Sequence, residues 1–341
     1  MTHRVAAIDC GTNSIRLLIA DLDPGLTDVT RQMRIVRLGE GVDRTGRLSE
    51  AALDRTMTAL REYADLIAEA RPAAVKMVAT SATRDAANAG EFTDRVIAVL
   101  GVAPEVISGD EEAWLSFTGA TRELGESLED SGVPDADGLG HPTRSREVPG
   151  VVPPGDNGLP PYLVADIGGG STEFVLGGLD GDGARGQIQD RSVNIGCVRL
   201  TERHLHGDPP LAAEIEATIR DIDAALDEVT ETVPAAKART LVGLAGSVTT
   251  VAAIALGLAE YDSARIHHSR IPAARVQQIT GELLAMTRAE RAAIPVMHPG
   301  RVDVIGAGAL ILDRIMTRFG FSEVLVSEHD ILDGIAWSLV R

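Results

Sequence analysis

Apolar residues along this chain fall into short runs of strand length and longer stretches of helical period. Residues 5–8, 15–20 and 34–38 predict three consecutive strands in a meander. Residues 49–70 predict a helix: Leu53, Met57, Leu60 and Ile67 share one face, Ser49 can cap it, and Glu50 suits the first turn. A short buried strand at 75–79 follows, then a helix running to about residue 100, a strand at 105–107, and a helix entered through Gly109-Asp110-Glu111-Glu112. Between about 125 and 160 the periodicity is lost in a stretch rich in Gly, Pro, Asp, Glu and Ser, which predicts a mobile loop. The strand pattern resumes at 162–165, 173–176 and 191–193. A helix at 212–229, a strand at 241–245 running into a helix, a helix at 301–319, a strand at 324–327 and a helix from 331 complete the chain.

Two turns interrupt the strands in the same way. Asp9-Cys10-Gly11-Thr12-Asn13-Ser14 joins the first two strands, and Asp166-Ile167-Gly168-Gly169-Gly170-Ser171 joins the strands at 162–165 and 173–176. Aligned on their aspartates, Asp, Gly and Ser fall in step. Glycines admit an anion close to the backbone, and successive N–H groups form a concavity for phosphate oxygens. Thr12, Asn13, Ser14, Ser171 and Thr172 add side-chain donors. An aspartate at the head of such a turn repels phosphate, and is explained if it holds a divalent cation, directly or through water, as magnesium is commonly held. A strand–turn–strand unit that occurs twice implies two related domains facing each other across a phosphate site.

Bulk properties narrow the reading. A length of 341 residues suits two domains. The net charge of −18 disfavours nucleic acid and anionic membrane as partners, and leaves any anionic substrate in need of local cations or metal. Neither lysine, Lys76 or Lys237, follows a G-x-x-x-x-G, which excludes a P-loop. Cys10 and Cys197 alone offer neither a disulfide framework nor zinc spacing. With no apolar run near the ~20 residues of a membrane span and no signal peptide, a reduced, cytoplasmic, soluble protein is expected.

The order of elements resembles the ribonuclease-H-like module of the actin and sugar-kinase superfamily. The two turns, together with Thr80-Ser81-Ala82-Thr83-Arg84-Asp85, Ile107-Ser108-Gly109-Asp110-Glu111-Glu112-Ala113, Gly196–Glu202 and Ala245–Thr250, resemble the exopolyphosphatase / guanosine pentaphosphate phosphohydrolase (Ppx/GppA) family in its short two-domain form. That resemblance implies an α/β fold of two ribonuclease-H-like domains with a cleft between them. The first would be residues 1–121 plus 326–341 and the second 122–325. It implies hydrolysis of a terminal phosphoanhydride with Mg²⁺ or another divalent cation. Glu112 would be the base that activates water, and Asp9, Asp166 and Glu173 would hold the metal or position water. Gly11, Thr12, Asn13, Ser14, Arg16, Ser81, Arg84, Gly168, Gly169, Gly170, Ser171, Thr172, Gly246 and Ser247 would bind phosphate. A homodimer is also implied.

Inorganic polyphosphate is the first substrate this suggests, and guanosine pentaphosphate (pppGpp) the second. An aromatic content of 3% leaves few partners for a stacked guanine. A weakly catalytic polyphosphate or alarmone sensor and an actin-like sugar kinase are further readings. Two departures from the family pattern, Trp114 after Glu-Glu-Ala and Asp333 in a C-terminal segment that usually carries arginine, remove positive charge and suggest a preference for short polyphosphate.

Overall fold

The computed structural model describes residues 3–23, 25–129, 158–178 and 188–339. Its first sheet contains β1 (Arg4–Cys10), β2 (Ser14–Leu22), β3 (Leu26–Ile35), β4 (Ala74–Ala79) and β5 (Glu105–Val106), in the order β3-β2-β1-β4-β5. The first three strands are antiparallel, and β4 and β5 run parallel to β1. The second sheet contains β6 (Tyr162–Ile167), β7 (Thr172–Gly177), β8 (Gln189–Val193), β9 (Thr240–Leu244), β10 (Arg270–Pro272) and β11 (Glu323–Val326), in the order β10-β11-β9-β6-β7-β8. Its run β8-β7-β6-β9-β11 repeats the order and sense of the first sheet, with β10 added at the edge.

The central strands are buried on both faces, as strands in the middle layer of a three-layer fold must be. In β1, Val5 and Ala7 face one core while Ala6, Ile8 and Cys10 face another. In β6, Leu163, Ala165 and Ile167 face one core while Tyr162 and Val164 face another. The helix Gly109–Glu129 belongs to both units. Leu115 packs in the core under β1 and β2, whereas Ala113, Phe117, Ala120 and Leu124 pack against β6, β7 and β9. The expected domain change at residues 121–122 falls inside this helix.

Two glycines let that helix press against the terminal helix Ile331–Trp337. A Cβ on Gly119 would lie 1.9 Å from the Asp330 carbonyl oxygen, and one on Gly334 would lie 2.0 Å from that of Leu115. The terminal helix thereby lies over β1 and β2, with Ile331, Leu332, Ile335 and Ala336 in the same core as Val5 and Leu18.

Several elements differ from expectation. The helix from Gly109 continues to Glu129, so residues 125–129 of the expected loop are helical; residues 130–157 lie outside the described residues. The third strand runs over Leu26–Ile35 instead of 34–38: it is an edge strand with one face to solvent, and its polar Thr-Asp-Val-Thr-Arg-Gln stretch weakens the apolar signal. Cys197–His204 is a helix that the Gly196-Cys197-Val198 motif did not announce. Ala273–Ala285 and Arg288–Ala292 are helices in a region with no prior assignment.

Candidate active site

The two turns close in the same way. Gly11 N–H donates to the Ser14 carbonyl at 2.9 Å, and Gly168 N–H donates to that of Ser171 at 3.1 Å. They meet face to face. A Cβ on Gly169 would lie 3.0 Å from Thr12 Cβ, and one on Gly170 would lie 2.6 Å from Thr12 Oγ1 and 2.5 Å from Ser81 Oγ. Thr12 and Ser81 share a hydrogen bond of 2.9 Å at this junction. Behind the second turn, Arg199 donates to the Gly170 carbonyl and forms ion pairs with Asp43 and Asp85 of the first unit.

A narrow cleft of about 110 Å³ opens between the turns. Gly11, Thr12, Asn13, Ser14, Ser81, Gly168, Gly169 and Ser171 line it, with Gly246 and Ser247 at the head of the helix Ala245–Ala255. Ala245 takes φ +68°, a left-handed conformation unusual for alanine, where strand β9 breaks into this helix. Gly170 stands behind the wall at the Thr12–Ser81 contact. Thr172 does not reach the cleft: its hydroxyl donates to the Ile195 carbonyl at 2.6 Å and braces the segment after β8.

Four acids converge on the cleft. Asp9, Glu112 and Asp166 line it, and Glu173 lies behind Asp166, directly opposite it across β6 and β7. All four are buried. Ser116 donates to Asp166 Oδ2 at 2.6 Å, and Ser192 donates to Glu173 Oε1 at 2.7 Å. Burial, followed by the neighbouring Asp330 charge, pushes Asp166 up to about 6; burial and the Asp166 charge push Glu173 up to about 7. Burial and the Glu173 charge raise Glu112 well above the usual carboxylate range, against the pull of Arg84. Asp9 is raised by burial although Arg16 opposes the shift.

Arg84 stands behind Glu112 and not in the cleft wall. Its Nη1 donates to Glu112 Oε2 at 3.1 Å and to the Ile107 carbonyl at 2.9 Å, so one end of its fork holds the carboxylate. Arg16 does line the cleft, but it is held between two carboxylates. Its Nη2 lies 2.6 Å from Asp9 Oδ2, and its Nη1 donates to Asp330. Arg16 is thus shared between two carboxylates, and Arg84 holds Glu112 through one nitrogen of its fork. Asp330 escaped sequence reasoning because it lies 314 residues from Arg16. It caps the terminal helix by accepting from Leu332 N–H, and its carboxyl is lowered by Arg16 against the effect of burial.

Asp9 Oδ1 and Asn13 Oδ1 are buried with no hydrogen-bond partner. Two orphaned oxygen acceptors beside Asp166 suit a hard cation. Among the described residues no three acidic or histidine groups come close enough together to ligate one ion. Asp9, Asp166 and Glu173 therefore do not form a closed ligand set, and the site fits an ion that keeps much of its water.

A wider cavity of about 440 Å³ adjoins the cleft. Met33, Tyr261, Val296, Met297 and Leu332 give it apolar walls, with Arg31 and Glu328 among its polar groups. Arg301, also unannounced by the sequence, lines both spaces. The two departures from the family pattern do not reach the cleft. Trp114 packs at the core beneath β1, and Asp333 is buried, accepting from Arg31 and from Asp330 N–H. In the family pattern Ser-Asp-x-x-Leu-Arg-x-Gly, set on Ser327 and Gly334, Leu332 and not Asp333 stands at the arginine.

The profile of the Ppx/GppA phosphatase family matches residues 18–131 and 159–341. The chain belongs to that family. It is 46% identical over 350 residues to Exopolyphosphatase 2 of Mycobacterium tuberculosis, covering 98% of each chain. It is similar to the crystal structure of an exopolyphosphatase-like protein at 43% identity, with a TM-score of 0.83 and 98% of each chain covered. The Ppx/GppA family member of Aquifex aeolicus is 30% identical, with a TM-score of 0.74 over 100% of this chain and 98% of that one. As a Ppx/GppA protein it carries the two-sheet α/β fold expected of it. No helix among the described residues is long and apolar enough to cross a membrane.

Proposed function

We propose that this Ppx/GppA protein hydrolyses the terminal phosphoanhydride bond of inorganic polyphosphate and releases orthophosphate. The observation that carries the proposal is the meeting of two Asp–Gly–Ser turns around a space of about 110 Å³, with the Glu112 carboxylate in its wall. The turns present backbone N–H groups and hydroxyls to a terminal phosphoryl group. Glu112 takes the proton of the attacking water, and Arg84 holds the carboxylate in place from behind. Ser116 orients Asp166 in the same manner. A Mg²⁺ ion held by Asp9 and Asp166, with Glu173 behind them, would neutralise charge on the phosphoryl oxygens. Its charge would also keep the crowded carboxylates ionised.

The test is orthophosphate release from polyphosphate with Mg²⁺ by the wild type and Glu112→Gln. Release that collapses in the variant supports both substrate and base. Release unaffected by the variant would sink the assignment of the base, and no release would sink the substrate.

The wider cavity favours a second reading, hydrolysis of the 5′-terminal phosphate of pppGpp. A bare phosphate chain has no use for walls of Met33, Tyr261, Val296 and Met297, whereas a nucleoside does. Side-by-side kcat/KM values for pppGpp and tripolyphosphate decide between the two. Because Trp114 and Asp333 lie outside the cleft wall, a preference for short chains draws no support from charge at those positions.

A further inference from the structure

In each unit the segment after the third strand returns behind the turn and ties down its carbonyl groups. In the first unit Gly39 N–H donates to the Thr12 carbonyl at 2.9 Å, and Val36 and Arg37 N–H donate to that of Asn13 at 3.0 and 2.9 Å. In the second unit the helix Cys197–His204 takes this part with its first turn. Cys197 N–H donates to the Gly168 carbonyl at 3.0 Å, and Val198 and Arg199 N–H donate to that of Gly169 at 2.9 and 3.1 Å. The helix comes this close because Gly196 has no side chain: a Cβ there would lie 2.4 Å from the Gly169 carbonyl oxygen.

The next carbonyl of the second turn is held differently. Arg199 alone among these donors uses its side chain, placing Nε 2.7 Å from the Gly170 oxygen. The peptide between Gly170 and Ser171 is trans, so its carbonyl and its N–H point opposite ways. With the carbonyl drawn back onto Arg199, the N–H is turned to the other side, where Ser171 lines the cleft. A cation on the carbonyl also polarises the peptide and strengthens its N–H as a donor.

The rest of the same guanidinium reaches across to the first unit. Nη1 lies 2.5 Å from Asp43 Oδ1, and Nη2 lies 2.5 Å from Asp85 Oδ2. Asp85 directly follows Arg84, which holds Glu112, and its own N–H donates to the Ser81 carbonyl at 2.9 Å. The seam around Arg199 keeps a void of about 10 Å³, at the lower limit for one water, and the side chain is 12% exposed, so these contacts are largely shielded from solvent.

We propose that Arg199 is a positioning residue for phosphoanhydride hydrolysis: it aims the Ser171 N–H at the phosphoryl group and, through Asp43 and Asp85, keeps that donor in register with Glu112. The inference rests on the phosphohydrolase reading of the site. A water activated by Glu112, which Arg84 of the first unit holds, must meet a phosphorus held in part by the turn of the second. An error on the order of 1 Å in that meeting costs as much as ~100-fold in rate.

The test is steady-state release of orthophosphate from tripolyphosphate with Mg²⁺, by the wild type, Arg199→Gln, Arg199→Lys and Arg203→Gln. Arg203 is the control, since it too pairs with Asp43, and its other partner is Asp221. Arg199→Gln should lower kcat about 10-fold or more with KM changed less than about 3-fold, because the other donors of the turns still bind the phosphates. Arg199→Lys keeps a positive charge for Asp43 and Asp85, but an ammonium does not span three acceptors, so kcat should again fall about 10-fold. Arg203→Gln should stay within about 2-fold of the wild type. Wild-type kcat in folded Arg199→Gln or Arg199→Lys would overturn the proposal, and so would a loss confined to KM, which would make Arg199 an aid to binding alone. An equal fall of kcat in Arg203→Gln would assign the effect to the ion pairs of the seam and overturn the role of the turn. No orthophosphate release by the wild type would overturn the phosphohydrolase reading and the proposal with it.

Discussion

Glu173 stands directly opposite Asp166 across β6 and β7, seven residues after it. At the equivalent place in the first unit, seven residues after Asp9 and opposite it across β1 and β2, stands Arg16. The duplicated frame therefore carries opposite charges at matching positions. In one unit the turn aspartate is neutralised by a neighbour; in the other it is crowded by one.

The crowding predicts a pH-dependent stability. Glu173 titrates at about 7 in the folded protein against an ordinary value of 4.5, so the folded state binds the proton more tightly. The stabilisation is fully present below the unfolded value, and is lost as pH rises through the folded one. In metal-free protein, Glu173→Gln should leave stability nearly unchanged near pH 4.5 and raise it near pH 8, by roughly 3 kcal/mol at most, seen as a higher melting temperature. Equal effects at both pH values would contradict the crowding. Addition of Mg²⁺ should raise the wild-type melting temperature near pH 8 more than that of Glu173→Gln.

Arg84 lowers the affinity of Glu112 for its proton. Replacing Arg84 with Met should move the acidic limb of the rate–pH profile to higher pH, with recovery of rate at alkaline pH. Glu112→Gln should lose about 10²–10⁴-fold in kcat at every pH. A profile for the Arg84 variant that is uniformly depressed but unshifted would point to direct phosphate contact by Arg84 instead.

Gly170→Ala should abolish activity in a protein that still folds, because the added methyl enters the Thr12–Ser81 contact at about 2.5 Å from both hydroxyls. Gly281→Ala is the control. It lies within the helix Ala273–Ala285 with open space around it, and should stabilise by about 0.5–1 kcal/mol with unchanged activity. Activity in Gly170→Ala near the wild-type rate would mean that the turns need not meet for catalysis.

Gly334→Ala tests the packing of the two glycine-matched helices. Its Cβ would sit 2.0 Å from the Leu115 carbonyl oxygen, closer than any adjustment of side chains can relieve. Overpacking of this kind should cost about 3 kcal/mol or more by chemical denaturation. A loss below about 1 kcal/mol would show that the helices separate readily.

The parts of the site built from neighbouring residues were legible. Small residues between apolar runs disclosed both turns, and the sevenfold spacing disclosed Glu173, because a tight antiparallel turn returns a residue to the side of its start. Glu112 was legible as the head of a helix. What was not legible came from distance. The partners of Arg16 and Arg84 could not be read from their neighbours in the chain: Asp330, 314 residues away, pairs with the first, and Glu112 accepts from the second. Arg301 carried no local mark, since its place in the cleft wall depends on a glycine and a threonine of one helix and a methionine of β3. Edge strand β3 was misplaced because one face meets water and its alternation is filled with polar side chains.

The terminal helix has a consequence for how the protein is made. Val5, Ala7, Leu18 and Ala20 share a core with Ile331, Leu332, Ile335 and Ala336, which follow them in the chain by about 310 residues or more. At roughly 5–20 residues per second, the apolar underside of β1 and β2 waits on the order of 20 to 60 seconds for its cover. Arg16 waits as long for Asp330. Through that interval the growing chain carries a bare sheet face and a cleft unbalanced in charge.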